Sequence, residues 1–171
     1  MVWKAAKGWQ VENTASFGTN VVSFLLTSGT RRWYIMGSYM PSNDRPSVHH
    51  MDQALRAAPM RSQLILMGGL NAWLGDPCDK HEEDLVTALS DQGMVNMTEY
   101  FLPRRQYRGA GGWKWIMQRD KRQVMGRGYY ILSTDMSSLV KSGIQEKRHD
   151  TNHRLILAVI RGEGALCNRR C

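Results

Sequence analysis

Apolar positions along this chain come in short runs broken by turn-forming clusters, with two stretches spaced for helices. Residues 20–26 (NVVSFLL) are β-branched and apolar, and Ser28-Gly29-Thr30 reads as a turn into residues 32–40, so the two runs predict a hairpin. Pro41 to Pro46 is a loop. Ser47 then stands where a helix cap is expected, and Val48, Met51, Leu55 and Ala58 share one face of a helix running to about Ala58. His49 and His50 are adjacent, so that helix points them in different directions, as solvated or groove-facing residues rather than a metal pair. Leu64 to Met67 is too short and too uniformly apolar for an amphipathic helix and predicts a buried strand. The strand runs into Gly68-Gly69-Leu70-Asn71, which places Asn71 just past a strand end, where missing side chains let backbone approach a ligand. Beyond the Gly75-Asp76-Pro77 turn, the charged stretch Asp79 to Asp84 and then Leu85, Ala88 and Leu89 predict a second helix that Gly93 ends. Val95 to Phe101 predicts a strand entering a basic loop.

Composition bounds the class. At 171 residues and 42% hydrophobic, the chain is long and apolar enough to bury one core and is not composed like a disordered segment. The 23 Lys+Arg against 15 Asp+Glu leave +8 at pH 7, a balance that favours a polyanion as partner and also serves solubility. The basic loop carries Arg104, Arg105 and Arg108, followed by Trp113 and Lys114, a mixture suited to holding phosphates and stacking bases. Trp113 and Trp115 alternate, however, and equally fit one buried strand face. The intervening Gly109-Ala110-Gly111-Gly112 lacks the Gly-Lys-Ser/Thr of a phosphate-binding loop, which excludes that motif. Arg119, Lys121, Arg122, Arg127, Lys141, Lys147 and Arg148 add cations expected on loops or turns. Cys78, Cys167 and Cys171 show no metal-ligand spacing, and their odd number favours a reducing compartment. Met1 to Trp9 carries no apolar signal core, and no run approaches the roughly 20 apolar residues of a membrane span. The expectation is a soluble, intracellular protein.

Four ordered stretches carry a resemblance. Ile35-Met36-Gly37-Ser38-Tyr39-Met40-Pro41 resembles a strand ending in Tyr-x-Pro, and Gly68-Gly69-Leu70-Asn71 resembles a Gly-Asp-x-Asn strand-loop. Arg127 to Ser133 resembles an Asp-Tyr-Ile-Leu strand, and His149 to Leu157 a closing Ser/Thr-Asp-His strand. Together, across about residues 18–161, they resemble the endonuclease/exonuclease/phosphatase family in its non-LTR retrotransposon endonuclease branch, leaving 162–171 as a tail. The resemblance implies an α+β fold, a four-layer α/β/β/α (DNase I-like) sandwich. The chain is expected to be one truncated domain over 1–171, supplying the later part of that fold.

By the same resemblance, Tyr39, Asn71 and His153 match functional positions, whereas Gly69, Tyr129 and Asn152 stand where the family has aspartates. Those aspartates act on the metal and the nucleophilic water, orient the histidine, and complete the metal site. The family's earlier metal-binding Asn and Glu fall upstream of this sequence. Phosphodiester hydrolysis of that type needs a divalent cation, and Mg²⁺ prefers carboxylate and water oxygens, which Asn71 alone does not replace. Asp76, Asp79, Asp120, Asp135 and Asp150 are conceivable substitutes, but Asp150 would lie about 6 to 7 Å along a strand from Asn152. The expectation is therefore no cofactor, no metal site, and a degenerate, inactive endonuclease-like domain acting as an interaction module. Its expected partners are DNA or RNA at the basic loops, and a protein or a second copy covering the exposed sheet. The alternative is a residual metal-dependent endonuclease or phosphoesterase, using Mg²⁺, whose site a partner completes.

Overall fold

A computed structural model describes residues 8–41, 45–72, 74, 79–97, 115–119, 122–126, 129–144 and 156–161. Its strands are β1 (Trp9–Phe17), β2 (Val21–Ser28), β3 (Arg31–Tyr39), β4 (Gln63–Gly69), β5 (Val95–Asn96), β6 (Trp115–Arg119), β7 (Arg122–Gly126), β8 (Tyr129–Ser133), β9 (Leu139–Ile144) and β10 (Ile156–Ile160). Two helices, α1 (Arg45–Arg56) and α2 (Lys80–Asp91), complete the described elements. The main sheet is mixed, in the order β1-β2-β3-β4-β8-β5, and β9–β10 and β6–β7 are antiparallel hairpins.

The predicted β2–β3 hairpin forms, with Ser28 opposite Arg31 and Val21 opposite Ser38. Strand β4 lies parallel to β3, so α1 must carry the chain back along the sheet, and it does so on one face. That face holds the larger core: Leu25, Tyr34, Met36, Leu64, Leu66 and Leu132 from the strands against Met51, Ala54 and Leu55 of α1 and Leu85 and Leu89 of α2. The alternate residues, Leu26, Trp33, Ile35, Ile65 and Ile131, face the other way and meet Ala158 and Ile160 of β10. Helices cover one face of the sheet and a β-hairpin part of the other, an α+β arrangement matching the layers expected from the sequence.

Glycine at 68 is a condition of this pairing. Its φ is 145°, and a Cβ at this position would overlap the Ser38 carbonyl oxygen on β3. No L side chain fits, because the nearest atom is paired backbone and has nowhere to move.

Local capping accounts for α2. Asp79, with extended backbone, accepts the Glu82 N–H at 2.9 Å, the N-terminal half of a capping box. At the other end Gly93 (φ 65°) donates to Ser90 and Met94 to Leu89, the paired bonds of a Schellman motif.

Several expectations change. Ser47 is not the cap of α1: it sits inside a helix that begins at Arg45, fully buried, where its hydroxyl accepts a hydrogen bond from Asn20. The strand expected over 95–101 is described only at Val95–Asn96. Arg119, Arg122 and Lys141 lie on strands rather than loops, since β6–β7 and β9–β10 are hairpins. Strand β1 has no counterpart among the elements expected from the sequence, although Trp9, Val11, Ala15 and Phe17 alternate along it. A register shift between Glu12 and Ala15, with Asn13 at φ 51°, interrupts that edge, a device that blunts strand addition. No described helix is long and apolar enough to cross a membrane.

Beyond β8, Asp135 organises the turn into β9. Its carboxylate accepts bonds from the Ser137 N–H and hydroxyl and from the Ser138 hydroxyl. Partial burial pushes this carboxyl's pKa up, but the bonds from Ser137 and Ser138 outweigh burial and hold it below its ordinary 3.8.

Both features are open to mutation. Gly68→Ala is expected to cost on the order of 3 kcal/mol or more and to leave the chain largely unfolded, as read by urea denaturation. For Asp135 the folded pKa is the lower one, so its stabilisation is present above the unfolded value and is lost as pH falls through the folded value. Asp135→Asn should lower the melting temperature at neutral pH, and the gap to the unaltered chain should close once acid protonates the carboxyl in both states.

Candidate functional site

The registers of β3, β4 and β8 bring three of the sequence-identified positions into one row. Tyr39 lies opposite Gly69, and Gly69 opposite Tyr129, at the end of the sheet where β3 and β4 finish. Strand alternation puts Tyr39 and Gly69 on the same face as Trp33, Ile35 and Ile65, the face that β10 partly covers. Tyr39 is 58% exposed, so this end of the face is open to solvent. Gly69 is buried and supplies backbone only.

Asn71 follows directly, at φ 45°, a left-handed conformation that asparagine adopts more readily than most residues. Its side-chain amide donates to the Met40 carbonyl at 2.7 Å, and the Met40 N–H donates to Gly69 at 2.7 Å. These reciprocal links clamp the loops after β3 and β4 to each other. Two residues that sequence reasoning missed extend the clamp. The Asn20 carbonyl accepts the Tyr39 N–H at 2.9 Å, while its side chain bonds Ser47 of α1. The buried Tyr130 hydroxyl donates to Ala72 at 2.9 Å, fixing the loop after Asn71 from the helix-side core. Asn20 carried no sequence signal beyond its place before an apolar run. Tyr130 had one, a tyrosine leading into the apolar pair Ile131-Leu132, where burial requires a partner for the hydroxyl.

Among the described residues the donors at this end of the sheet do not make up a divalent-cation site. A Mg²⁺ site calls for carboxylates, whereas the row consists of two tyrosines and a glycine, and the amide nitrogen of Asn71 beyond it is already engaged. No three His, Cys, Asp or Glu side chains gather closely enough to hold a metal among the described residues. Asp135 is no substitute. It lies past Ser133, the opposite end of β8 from Tyr129 and at least roughly 13 Å of strand away. Asp79 caps α2. His153 and Asn152, with Asp76, Asp120 and Asp150, fall outside the described residues, as do Arg104, Arg105, Arg108, Trp113, Lys114 and the three cysteines.

No family model and no curated protein matches the sequence. Solved structures do match the fold. The endonuclease domain of TRAS1, a telomere-specific non-LTR retrotransposon, superposes with a TM-score of 0.66 at 15% identity over 88% of this chain and 69% of that one. An endonuclease/exonuclease/phosphatase family protein from Leptotrichia buccalis gives 0.57 at 14% identity over 91% of this chain and 61% of that one. D. rerio TDP2, in complex with single-strand DNA product, gives 0.56 at 13% identity, covering 85% and 66%. This chain thus spans about two thirds of the length of each.

The Asn71 clamp is directly testable. Asn71→Asp keeps the size and removes the donor, setting a carboxylate against the Met40 carbonyl, and should destabilise the fold by about 1–3 kcal/mol in chemical denaturation. From its sheet order, its helix-covered and hairpin-covered faces and these superpositions, the chain has the fold of the endonuclease/exonuclease/phosphatase (DNase I-like) proteins.

Proposed function

We propose that this is a catalytically inert domain of the endonuclease/exonuclease/phosphatase fold that works as an interaction module. The Tyr39–Gly69–Tyr129 row carries the reading: the register aligns the positions at which the resemblance expects acids and finds a glycine and a tyrosine. Without carboxylates there is little to bind a cation, activate water or orient an imidazole, and the metal-assisted route to phosphodiester cleavage loses its first requirement. The Asn71 amide is spent on holding two loops together.

Nucleic acid is the partner class the chemistry favours. The net charge is +8, and the loop with Arg104, Arg105, Arg108, Trp113 and Lys114 combines cations with aromatic rings. TDP2, a neighbour in fold, is described with single-strand DNA. A protein partner or second copy on the open end of the hairpin-covered face is the other interaction consistent with its exposed Tyr39 and Val22.

The test is a nicking assay on labelled duplex and supercoiled plasmid, with Mg²⁺ or Mn²⁺ titrated and His153→Ala as control. No metal-dependent cleavage above that control is expected. Nicking that the substitution abolishes would overturn the inert reading in favour of a residual endonuclease.

A further inference from the structure

We propose that the end of the main sheet remote from the Tyr39–Gly69–Tyr129 row is a docking rim for single-stranded nucleic acid. Arg31, Arg32, Arg61 and Arg161 would hold phosphates there, and the Trp9 indole would stack a base. The proposal rests on the interaction-module reading and gives that module a surface separate from the loop at 104–114.

Register assembles the rim from positions far apart in sequence. Trp9 lies opposite Ser28, and Ser28 opposite Arg31, so one row crosses β1, β2 and β3 on a single face. Trp33 on β3 is level with Gln63 on β4 in the parallel pair, and Arg31 and Arg61 each stand two residues earlier. Arg61 is exposed, in a left-handed turn at φ 64°. Arg161 arrives from β10: its carbonyl accepts the Arg31 guanidinium at 2.6 Å and its N–H donates to Ser138. This leaves the exposed Arg161 side chain out of both bonds. Arg32, exposed on the other face of β3, completes the cluster at the same end. Neighbouring strands are about 4.8 Å apart, so these cations spread over on the order of 10–15 Å, enough for successive phosphates.

Among the described residues no ion pair neutralises these arginines. Among the described residues, the ion pairs join Arg56 to Asp52 and Lys80 to Glu83 and Asp84, all on the helices. Asp135 lies just past the end of β8 that pairs with the start of β4, and its oxygens are occupied by Ser137 and Ser138, while Glu12 stands three residues along β1 from Trp9. Asp91 sits in the last turn of α2, which leads into β5 at the sheet edge opposite β1.

An aromatic surface turns this basic end toward unpaired bases. Trp9 stacks on Trp33 with ring centroids 5.2 Å apart and planes 24° from parallel. Trp33 is 1% exposed and anchors the pair in the core, while Trp9 is only half-buried, so a rigidly held indole reaches solvent beside the arginines. A fixed ring next to guanidinium groups suits a single strand, whose bases are free to stack, better than a duplex or a lipid surface.

The experiment uses the full chain and fluorescence anisotropy of labelled 16-nucleotide oligo(dT) and oligo(U), over a salt series. Unaltered protein should bind single strands more tightly than a duplex of the same length. Combining Arg32→Ala, Arg61→Ala and Arg161→Ala, which spares the Arg31 hydrogen bond, should weaken binding at least tenfold. It should also flatten the logarithmic salt dependence by about 2, from roughly 0.7 for each phosphate no longer held. Trp9→Leu should weaken binding with the salt slope unchanged, and circular dichroism melts confirm that each variant folds. Changing Arg104, Arg105 and Arg108 to alanine should leave most of the affinity. The proposal is overturned if unaltered protein does not bind, if the rim variant binds as before, if the loop variant alone abolishes binding, or if phosphatidylserine vesicles are preferred to oligonucleotide. The nicking assay separates the two readings: cleavage with the rim intact removes inertness only, and an intact affinity in the rim variant removes the rim only.

Discussion

The parallel pairing of β3 with β4 is the interaction on which the rest of the molecule depends. It brings the backbones together so closely at Ser38 and Gly68 that a methyl group at 68 would overlap a carbonyl oxygen. Because the strands are parallel, the connection must cross the sheet, and an amphipathic α1 makes the crossing while burying Met51, Ala54 and Leu55. Antiparallel addition of β8 to β4 then propagates the same register to Tyr129 and Tyr130. The candidate site and the remote rim are the two ends of this one set of pairings, so a slip of one residue would dismantle both.

The two faces of the sheet are filled differently, and that difference shapes where partners can act. On the helix side, core residues from four strands and two helices close around buried tyrosines whose hydroxyls are paired, Tyr34 with Ser23 and Tyr130 with Ala72. On the other side, Ala158 and Ile160 of β10 meet Ile35, Ile65 and Ile131 around a cavity of about 240 Å³. Towards the Tyr39 end, among the described residues, Val22 and Tyr39 stand 47% and 58% exposed. A looser apolar layer beside a tight one makes this face the part of the fold that a partner can reshape at least cost.

Chemically the two ends have separated. One end holds the loops after β3 and β4 together through Asn71, Met40 and Asn20. The other collects arginines around a stacked tryptophan pair.

Much of this was legible in the sequence where local rules act alone. The apolar run at 64–67, the β2–β3 turn, the face of α1 and the Gly93 stop of α2 follow from periodicity and backbone freedom, and all four stand in the structure. Strand β1 was less legible, because the register shift between Glu12 and Ala15 turns Trp9 to the hairpin-side core and Phe17 to the helix-side core, so its apolar residues do not mark one face. Ser47 shows the limit of local rules: a serine before an apolar stripe reads as a cap, yet here a hydrogen bond from Asn20, 27 residues away, makes it a buried helix residue. Sequence by itself determined the elements whose pattern is local: the 64–67 strand, the β2–β3 turn, the apolar face of α1 and the stop of α2. Only the tertiary structure decided that Tyr39, Gly69 and Tyr129 share a row, and that Arg31 meets Arg161 across 130 residues. Such juxtapositions are set by strand order and register, which arise from packing two faces at once and leave no local trace in the chain.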